Sequence, residues 1–507
     1  MAEFFDTITG ILGLLTWTQL CFLIIGVAAG VIVGALPGVG PLLGVVMAIP
    51  FTFYMDPISS MALLMGIYQG GSYGGALSAT IIGIPGTPMA AATLLDGHPM
   101  ALGGRASFAV TLSTIASSFG GVLSGIVLIA VAPALASIAI KFGPSEVAAF
   151  AFLGLTTIGA LSGGSAAKGW LMGFLGLLIA SVGLDPVSGA SRFTFGSVYL
   201  GSGISLIPLL VGLFSISEIL RQIESPMRVH DTSSKVSASV EAFRTVITRP
   251  INYIRSSLMG VFIGILPGIG GVTASFLSYR AAMVFKKKDD PEFGKGNPDG
   301  VISSEAANSA VAGGALIPML AMSIPGDPIV AVLMGGLMIQ GIQPGATMFL
   351  NYPDVIDGIF AVFVLGALFM LPIGLLFVRV IVVLMRLPQW AIMSIVLMIS
   401  IIGTYTVARE IMDLWMLLFF GVAGYLLRKA DYPLSPIVVG FVLGPIFENN
   451  FRRTGLVSQG DFVGYVADRP ITLAVLLVIV LFLAIPLFNA LKRKKNKYTD
   501  LERQLKL

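Results

Sequence analysis

The sequence predicts an all-α polytopic membrane protein made of two inverted-topology repeats, each with a re-entrant hairpin and a discontinuous helix. Three observations lead there. Hydrophobic residues make up 56% of the 507-residue chain and charged residues 11%, with a mean hydropathy of +0.94; a soluble surface around one core cannot have this balance. The motif GALPGVG at 34–40 returns as GILPGIG at 264–270, and GIPGTP at 83–88 returns as SIPGDP at 323–328. Basic clusters bracket the two copies differently, which sets them in opposite orientations.

Residues 1–220 form membrane repeat 1. Its first sixteen residues carry Glu3 and Asp6 but no Lys or Arg, so the basic region of a cleavable signal peptide is missing and the mature chain is expected to start near Met1. Leu20 to Phe53, with PGVG at its centre, reads as a hairpin that enters and leaves from the outside. The stretch 60–100 crosses to Arg105 on the inside. Apolar stretches 108–138, 145–162, 168–184 and 200–219 then alternate sides.

Residues 221–255, with Arg221, Arg228, Lys235, Arg244, Arg249 and Arg255, form a cytoplasmic linker by the positive-inside rule. Membrane repeat 2 spans 256–450. Its first segment, Ser256 to Tyr279, lies between that linker and a second basic cluster of Arg280, Lys286, Lys287, Lys288 and Lys295. One crossing cannot begin and end on one side, so this segment is a second hairpin, open to the cytoplasm, with PGIG at its tip. Residues 451–491 add a C-terminal span, and the basic tail 492–507 is cytoplasmic. The total is about 11 crossings plus two hairpins. Lys141, Arg192 and Arg452 fall on the side opposite to the rule.

Composition narrows the function further. The 61 glycines have no Gly-X-Y period and fit close helix packing; Gly26, Gly30 and Gly34, echoed by Gly260 and Gly264, lie along the first arms of the hairpins. A single Cys21 excludes an internal disulfide, and His98 and His230 lack any metal-binding spacing, so no metal or other cofactor is expected. The net charge of +4 reports orientation, not a nucleic-acid partner. Trp17, Trp170, Trp390 and Trp415 read as interfacial anchors, and Glu218 and Glu448 as solvated helix ends. No catalytic constellation is present: the Asp of PGD lacks a GxGD context, and there is no GxxxxGK[ST] loop.

Matched breaks in two halves mark a transporter's binding site. In GIPGTP and SIPGDP a helix ends at the first Pro-Gly and another starts at Thr87-Pro88 or Asp327-Pro328, where the side-chain oxygen caps free N–H groups and Pro lacks the donor that would be orphaned. Each helix start offers positive dipole and N–H groups to an anion, while carbonyls released upstream can take a cation. Thr87 is neutral and can receive a substrate carboxylate. Asp327 carries its own charge, which makes it the candidate for the coupling ion or else a structural cap. Asn308, beside Glu305 and Ser309, supplies either ligand contacts or helix-to-helix hydrogen bonds, as do Gln69, Ser72 and Tyr73 in the matching stretch of copy one. The four breaks are expected to converge on one cavity.

The blocks GALPGVGPLLG, QGGSYGGALSATIIGIPGTPMAAATLLDGHPMALGGRA and SSEAANSAVAGGALIPMLAMSIPGDPIVAVLMGGLMIQGIQPG resemble the large membrane subunit of the tripartite tricarboxylate transporters, and the likeness covers essentially the whole chain. The resemblance implies a bacterial inner-membrane secondary transporter that takes a carboxylate from a periplasmic solute-binding protein. It also implies a small membrane subunit as partner, and a sodium or proton gradient as the driving force. The family's PGxG and IPGxP signatures map onto Pro37, Gly38, Gly40, Pro85, Gly86, Pro88, Pro267, Gly268, Gly270, Pro325, Gly326 and Pro328. With Val39, Thr87 and Asn308 these are the candidate substrate-binding residues, and Asp327 is the candidate coupling-ion residue. An anion channel and a non-transporting membrane scaffold are the alternatives; neither requires matched breaks in inverted halves.

Overall fold

The computed structural model describes residues 15–36, 38–156, 165–185, 188–224, 238–267, 270–286, 290–384 and 389–481. The basic tail 492–507, linker residues 225–237, and three tip residues, Pro37, Gly268 and Ile269, lie outside the described residues. Among the described residues the chain is helical apart from one two-stranded ribbon, Gly183–Leu184 paired antiparallel with Ser191–Arg192. Six helices among the described residues are long and apolar enough to cross a membrane. The chain is an all-α polytopic membrane protein.

The first half of the described chain comprises α1 (Trp17–Ala35), α2 (Gly40–Thr52), α3 (Pro57–Ile82), α4 (Ala91–Met100) and α5 (Ala106–Ala139), followed by α6 (Pro144–Thr156), α7 (Ala166–Ala180) and α8 (Leu206–Glu224). After α9 (Val240–Thr248), the same sequence of elements recurs as α10 (Pro250–Ile265), α11 (Gly270–Val284), α12 (Pro298–Met322), α13 (Pro328–Ile339) and α14 (Pro353–Leu384). The chain ends in α15 (Gln389–Ala408), α16 (Ile411–Lys429), α17 (Ser435–Val457) and α18 (Pro470–Leu481). Three expected boundaries fall inside helices: α8 continues through 220/221, α10 through 255/256 and α17 through 450/451.

The two central helices, α3 and α12, begin in the same way. Asp56 accepts from the N–H groups of Ile58 and Ser59, Asn297 accepts from Asp299, and a proline follows each cap. The cap satisfies orphan donors and Pro contributes none, so both starts are sharply defined. Nearly every residue of α3 from Ser59 to Ile81, and of α12 from Pro298 to Ala321, is buried. Protein rather than lipid surrounds them, which is why they can carry Gln69, Ser72, Tyr73, Glu305 and Asn308 at membrane depth.

Each hairpin packs its first arm on the central helix of its own half. Gly26, Gly30 and Gly34 of α1 meet the backbone at Leu63, Ile67 and Gly71 of α3, while Gly260 and Gly264 of α10 meet Ala307 and Val311 of α12. A Cβ at Gly34 would run into the Gly71 carbonyl, so glycine permits a backbone-to-backbone approach no other residue allows. These registers also fix depth. The first hairpin's arm ends level with Gly71, eleven residues before α3 does, which is about 16 Å short of it.

Contact registers give the helix directions as well. Along α5 and α12, Gly120 meets Ala306 and Gly313 meets Ser124, so they run parallel. Along α3 and α14, Ile58 meets Gly358, Gln69 meets Gly366 and Tyr73 meets Gly374, again parallel. Between α5 and α14 the order reverses: Gly121 meets Ala367, Gly125 meets Phe363 and Val364, and Thr114 meets Gly374. The corresponding helices α5 and α14 therefore run antiparallel, and α3 and α12 with them.

The three misplaced cations divide. Arg192 and Arg452 both pair with the buried Asp185 and with Glu448, so their charge is neutralised locally and does not weigh in the positive-inside count. Lys141 is exposed.

Candidate functional site

Both breaks fold back on the helix they interrupt. Helix α3 ends with Gly83 in the left-handed conformation (φ 76°), its N–H bonded to Ala79 O. The chain then reverses: the Gly86 N–H donates to Gly75 O at 3.2 Å, and Thr87 lies against Gly75. Helix α4 thus starts beside the middle of α3 and runs along its last turns, where His98 meets Gly83 and Nδ1 sits 3.2 Å from Thr80 O. In the second copy Ser323 holds the left-handed position (φ 61°), with its hydroxyl donating to Pro344 O at 2.5 Å. Gly326 packs there on Ala315 and the Gly264 carbonyl. The sequence predicts a discontinuous helix, and it is discontinuous; the left-handed residue turns a gap into a reversal.

The two helix starts are not equivalent. Asp327 caps α13 as expected: Oδ1 accepts from the Val330 N–H at 2.8 Å and Oδ2 accepts from the Tyr68 hydroxyl. Thr87 does not. Its side chain makes no cap bond, the first turn Pro88–Ala90 is 3-10 rather than α-helical, and Thr87 Oγ1 is buried without a hydrogen-bond partner. Packing against Gly75 holds the Thr87 side chain, and a buried hydroxyl left unsatisfied is costly.

Around Thr87 the structure gathers other predicted residues. Met89, two positions on, touches Gly271 next to the tip residue Gly270, and the same Gly271 faces Asn308 Oδ1. The Asn308 amide donates to Ser72 O at 3.3 Å, one turn of α3 before Gly75, while Asn308 Oδ1 has no hydrogen-bond partner. The helix start of one half, Gly271 on the second hairpin arm of the other and a polar residue from each central helix thus come together. Gly86 and Thr87 are buried there, Gly270 is half-buried and Pro88 is exposed. Pro85 links Gly86 back to α3, as Pro325 links Gly326 back to α12.

Other predicted residues lie elsewhere. Asp327 meets α3 at Tyr68, seven residues before Gly75, which is about 10 Å along the helix. Gly38, beside Val39 and Gly40 at the first hairpin's tip, faces Glu218, Arg221 and Gln222 of α8. Glu218 is buried (3% exposed) and paired with Arg221 and Arg428, a correction to the solvated end expected from sequence. An ion pair with a residue on α16 supplies the partner that burial demands. Gly40 and Gly270 both hold φ 71°, so the second arm of each hairpin starts through the same left-handed glycine. Pro267, the last described residue before the second tip, closes α10.

With this geometry in place, comparison with known proteins is decisive. Residues 20–439 match the model of the tripartite tricarboxylate transporter TctA family. The chain belongs to this family. A relative in Agrobacterium vitis, an uncharacterized 52.8 kDa protein of the TAR-I ttuC' 3' region, is 35% identical over 486 residues, covering 95% of this chain and 96% of that one. A second A. vitis relative, an uncharacterized protein of the TAR-II ttuC' 3' region, is 31% identical over 238 residues, 47% of this chain and 98% of its own length. No solved structure matches.

Membership in the TctA family makes the chain a multi-pass membrane component of a tripartite tricarboxylate transport system. Two features of this TctA-family site escape the sequence, and a third shows there only in part. Tyr68 reaches Asp327 from 259 residues away, and nothing in its local sequence marks it. Asp96 accepts from the N–H groups of Gly294, Gly296 and Asn297 at 2.8, 3.0 and 2.7 Å and from the Tyr279 hydroxyl at 2.7 Å, tying α4 to the loop before α12. Glu305 is fully buried against Thr93 and Ser117; an ionisable residue inside an apolar helix was its visible signal.

Proposed function

We propose that this TctA-family chain is the translocating subunit of a cation-coupled symporter of the bacterial inner membrane. It imports a di- or tricarboxylate by alternating access, with the C-terminal tail in the cytoplasm. The substrate arrives from a periplasmic solute-binding protein, and a small membrane subunit completes the complex. The observation that carries this reading is the meeting of Thr87, Asn308 and Gly271 across the two halves, with Thr87 Oγ1 buried and lacking a partner. A hydroxyl donor left unsatisfied at a helix start is what an incoming anion would use; Asn308 Oδ1, also without a partner, is an acceptor and suits a donor group or a cation. The substrate carboxylate binds at the Thr87 helix start, where no arginine is needed, and Asp327 holds a coupling cation, sodium or proton, in exchange with its Tyr68 hydrogen bond.

Alternating access draws support from the antiparallel run of α5 against α14 and of α3 against α12, the relation inverted repeats produce. Hairpins that stop short of the far side, and breaks that fold back inside protein, meet the rule that irregular backbone at membrane depth must be covered. The test is counterflow. Proteoliposomes holding the chain and its small subunit are preloaded with unlabelled carboxylate and supplied with binding protein and labelled substrate, over a panel of di- and tricarboxylates. Preloading should accelerate uptake for a carrier. Uptake indifferent to preloading would make the protein a channel, and none with any member of the panel would remove the transport reading.

A further inference from the structure

Resting on the symporter reading above, we infer that Glu305 forms a second cation site, separate from Asp327 and at the junction of the two halves. Glu305 projects from α12 of the second half and is 0% exposed. Its Oε1 accepts from Thr93 Oγ1, and its Oε2 from Ser117 Oγ at 2.8 Å. Both hydroxyls belong to the first half, on α4 and α5. Ser304 Oγ closes the group at 2.8 Å from Thr93 Oγ1.

The comparison with the other buried carboxylates is what singles Glu305 out. Asp185, Glu146, Glu218 and Asp299 have arginine partners, Asp96 receives three backbone N–H groups, Asp327 caps a helix, and Asp413 sits in the first turn of α16, where the helix dipole favours its charge, with the Tyr199 hydroxyl on it. Glu305 has neither arginine nor backbone donor among its hydrogen bonds; its partners are the two hydroxyls. Leaving a bare carboxylate in a dry interior is prohibitive, so it takes up positive charge. The surrounding atoms are hard oxygens, which suit a sodium ion or a bound proton and exclude soft metals.

Charged and titratable groups on the packed elements leave Glu305 to itself. Helix α5 carries none. Tyr73 on α3 is engaged with Thr114, its hydroxyl 2.6 Å from Thr114 Oγ1. Tyr68 is engaged with Asp327, Tyr279 with Asp96, Tyr253 with Thr245, Arg255 with Asn252, and His98 with Thr80; Arg280 is exposed.

Position gives the site its purpose. Thr93 lies six residues after Thr87 on one short helix, about 9 Å along it, and Asn308 lies one turn from Glu305 with its free Oδ1 at the substrate neighbourhood. A cation at Glu305 therefore favours an anion at Thr87 and is favoured by it, reciprocally. Because the ligand atoms come from both halves, the cation also ties the halves together.

The experiment uses the full chain with its small subunit, in nanodiscs for thermal stability and in proteoliposomes supplied with binding protein for uptake, with sodium chloride against choline chloride at several pH values as probe. Thermal stability and carboxylate uptake are both recorded. For the wild type, sodium (or protons) should raise stability and strengthen substrate affinity by on the order of 5- to 150-fold, with a Hill slope above one for the cation. Glu305→Gln should lose that slope and transport one cation fewer per substrate, and Glu305→Asp should restore part of it. Sodium dependence at fixed pH identifies sodium as the ligand, and pH dependence without sodium identifies the proton. If Glu305→Gln does not fold, Thr93→Val and Ser117→Ala, which keep the carboxylate, should each weaken cation activation. Unchanged cation slope and stoichiometry in the folded variants would overturn the Glu305 site while leaving the symporter reading intact. A wild type that transports no carboxylate would instead sink the symporter reading itself.

Discussion

Replacing Thr87 with Val should make the protein more stable and a worse transporter. Valine matches threonine in volume and preserves the packing against Gly75 while deleting Oγ1, the one polar atom of that side chain. In the substrate-free protein this atom is buried and has no partner, so removing it relieves a desolvation cost of about 1–3 kcal/mol. With substrate present the balance reverses. A hydrogen bond from a neutral hydroxyl to a carboxylate contributes about 1.5–3 kcal/mol, a loss of roughly 10- to 150-fold in affinity. The assay is thermal unfolding of purified protein, alone and over a substrate titration, for wild type and variant. A higher midpoint without substrate and a right-shifted titration are the expected pair. A lower midpoint without substrate would mean that Oγ1 has a structural partner; a titration that does not move would take Thr87 out of the binding site.

Three further outcomes follow from the geometry. Asp327→Asn retains an oxygen for Val330 and fold stability, yet sodium or pH dependence of uptake should weaken; unchanged ion dependence leaves Asp327 as a cap alone. Gly34→Ala drives a methyl into the Gly71 carbonyl and should lower stability by about 1–3 kcal/mol or more, whereas Gly103→Ala, with nothing within 4 Å, should stay within about 0.5 kcal/mol in denaturation midpoints compared side by side. Asp96→Ala orphans the N–H groups of Gly294, Gly296 and Asn297, so trypsin should cut faster at the exposed Lys295; an unchanged cleavage rate would mean the loop is held by other contacts, such as the Arg249 pairs with Asp290 and Asp299.

Much of this architecture is written locally and so can be read from the chain. Pro and Gly in apolar runs announce the breaks, the spacing of Gly26, Gly30 and Gly34 announces a close-packed arm, and Asp327-Pro328 announces a capped helix start. The fold-back of the breaks was hidden because it depends on a left-handed residue. Gly83 is permissive without being diagnostic, and Ser323 does not advertise φ 61° at all. The missing cap at Thr87 was hidden too: the residue type is right for capping, but packing against Gly75 decides otherwise. Burial of Glu218 depends on Arg428, 210 positions later, and the setting of Glu305 on two hydroxyls from the opposite half. Interactions that join distant segments leave no periodicity to read.

The left-handed residue at the end of each central helix is a glycine in one half and Ser323 in the other, and only the serine is tethered. Its hydroxyl holds Pro344, in the turn between Gly341 and Gly345. A displacement of the second break must therefore pull that turn with it, or break the tether first. The first break has the ring of His98 against Gly83, on the very helix that the break begins, and that helix is held to the second half through Asp96 and Thr93. The two halves are thus built on one plan but geared differently: a displacement of the first break pulls on the other half through α4, and the second signals its position to the turn beyond α13.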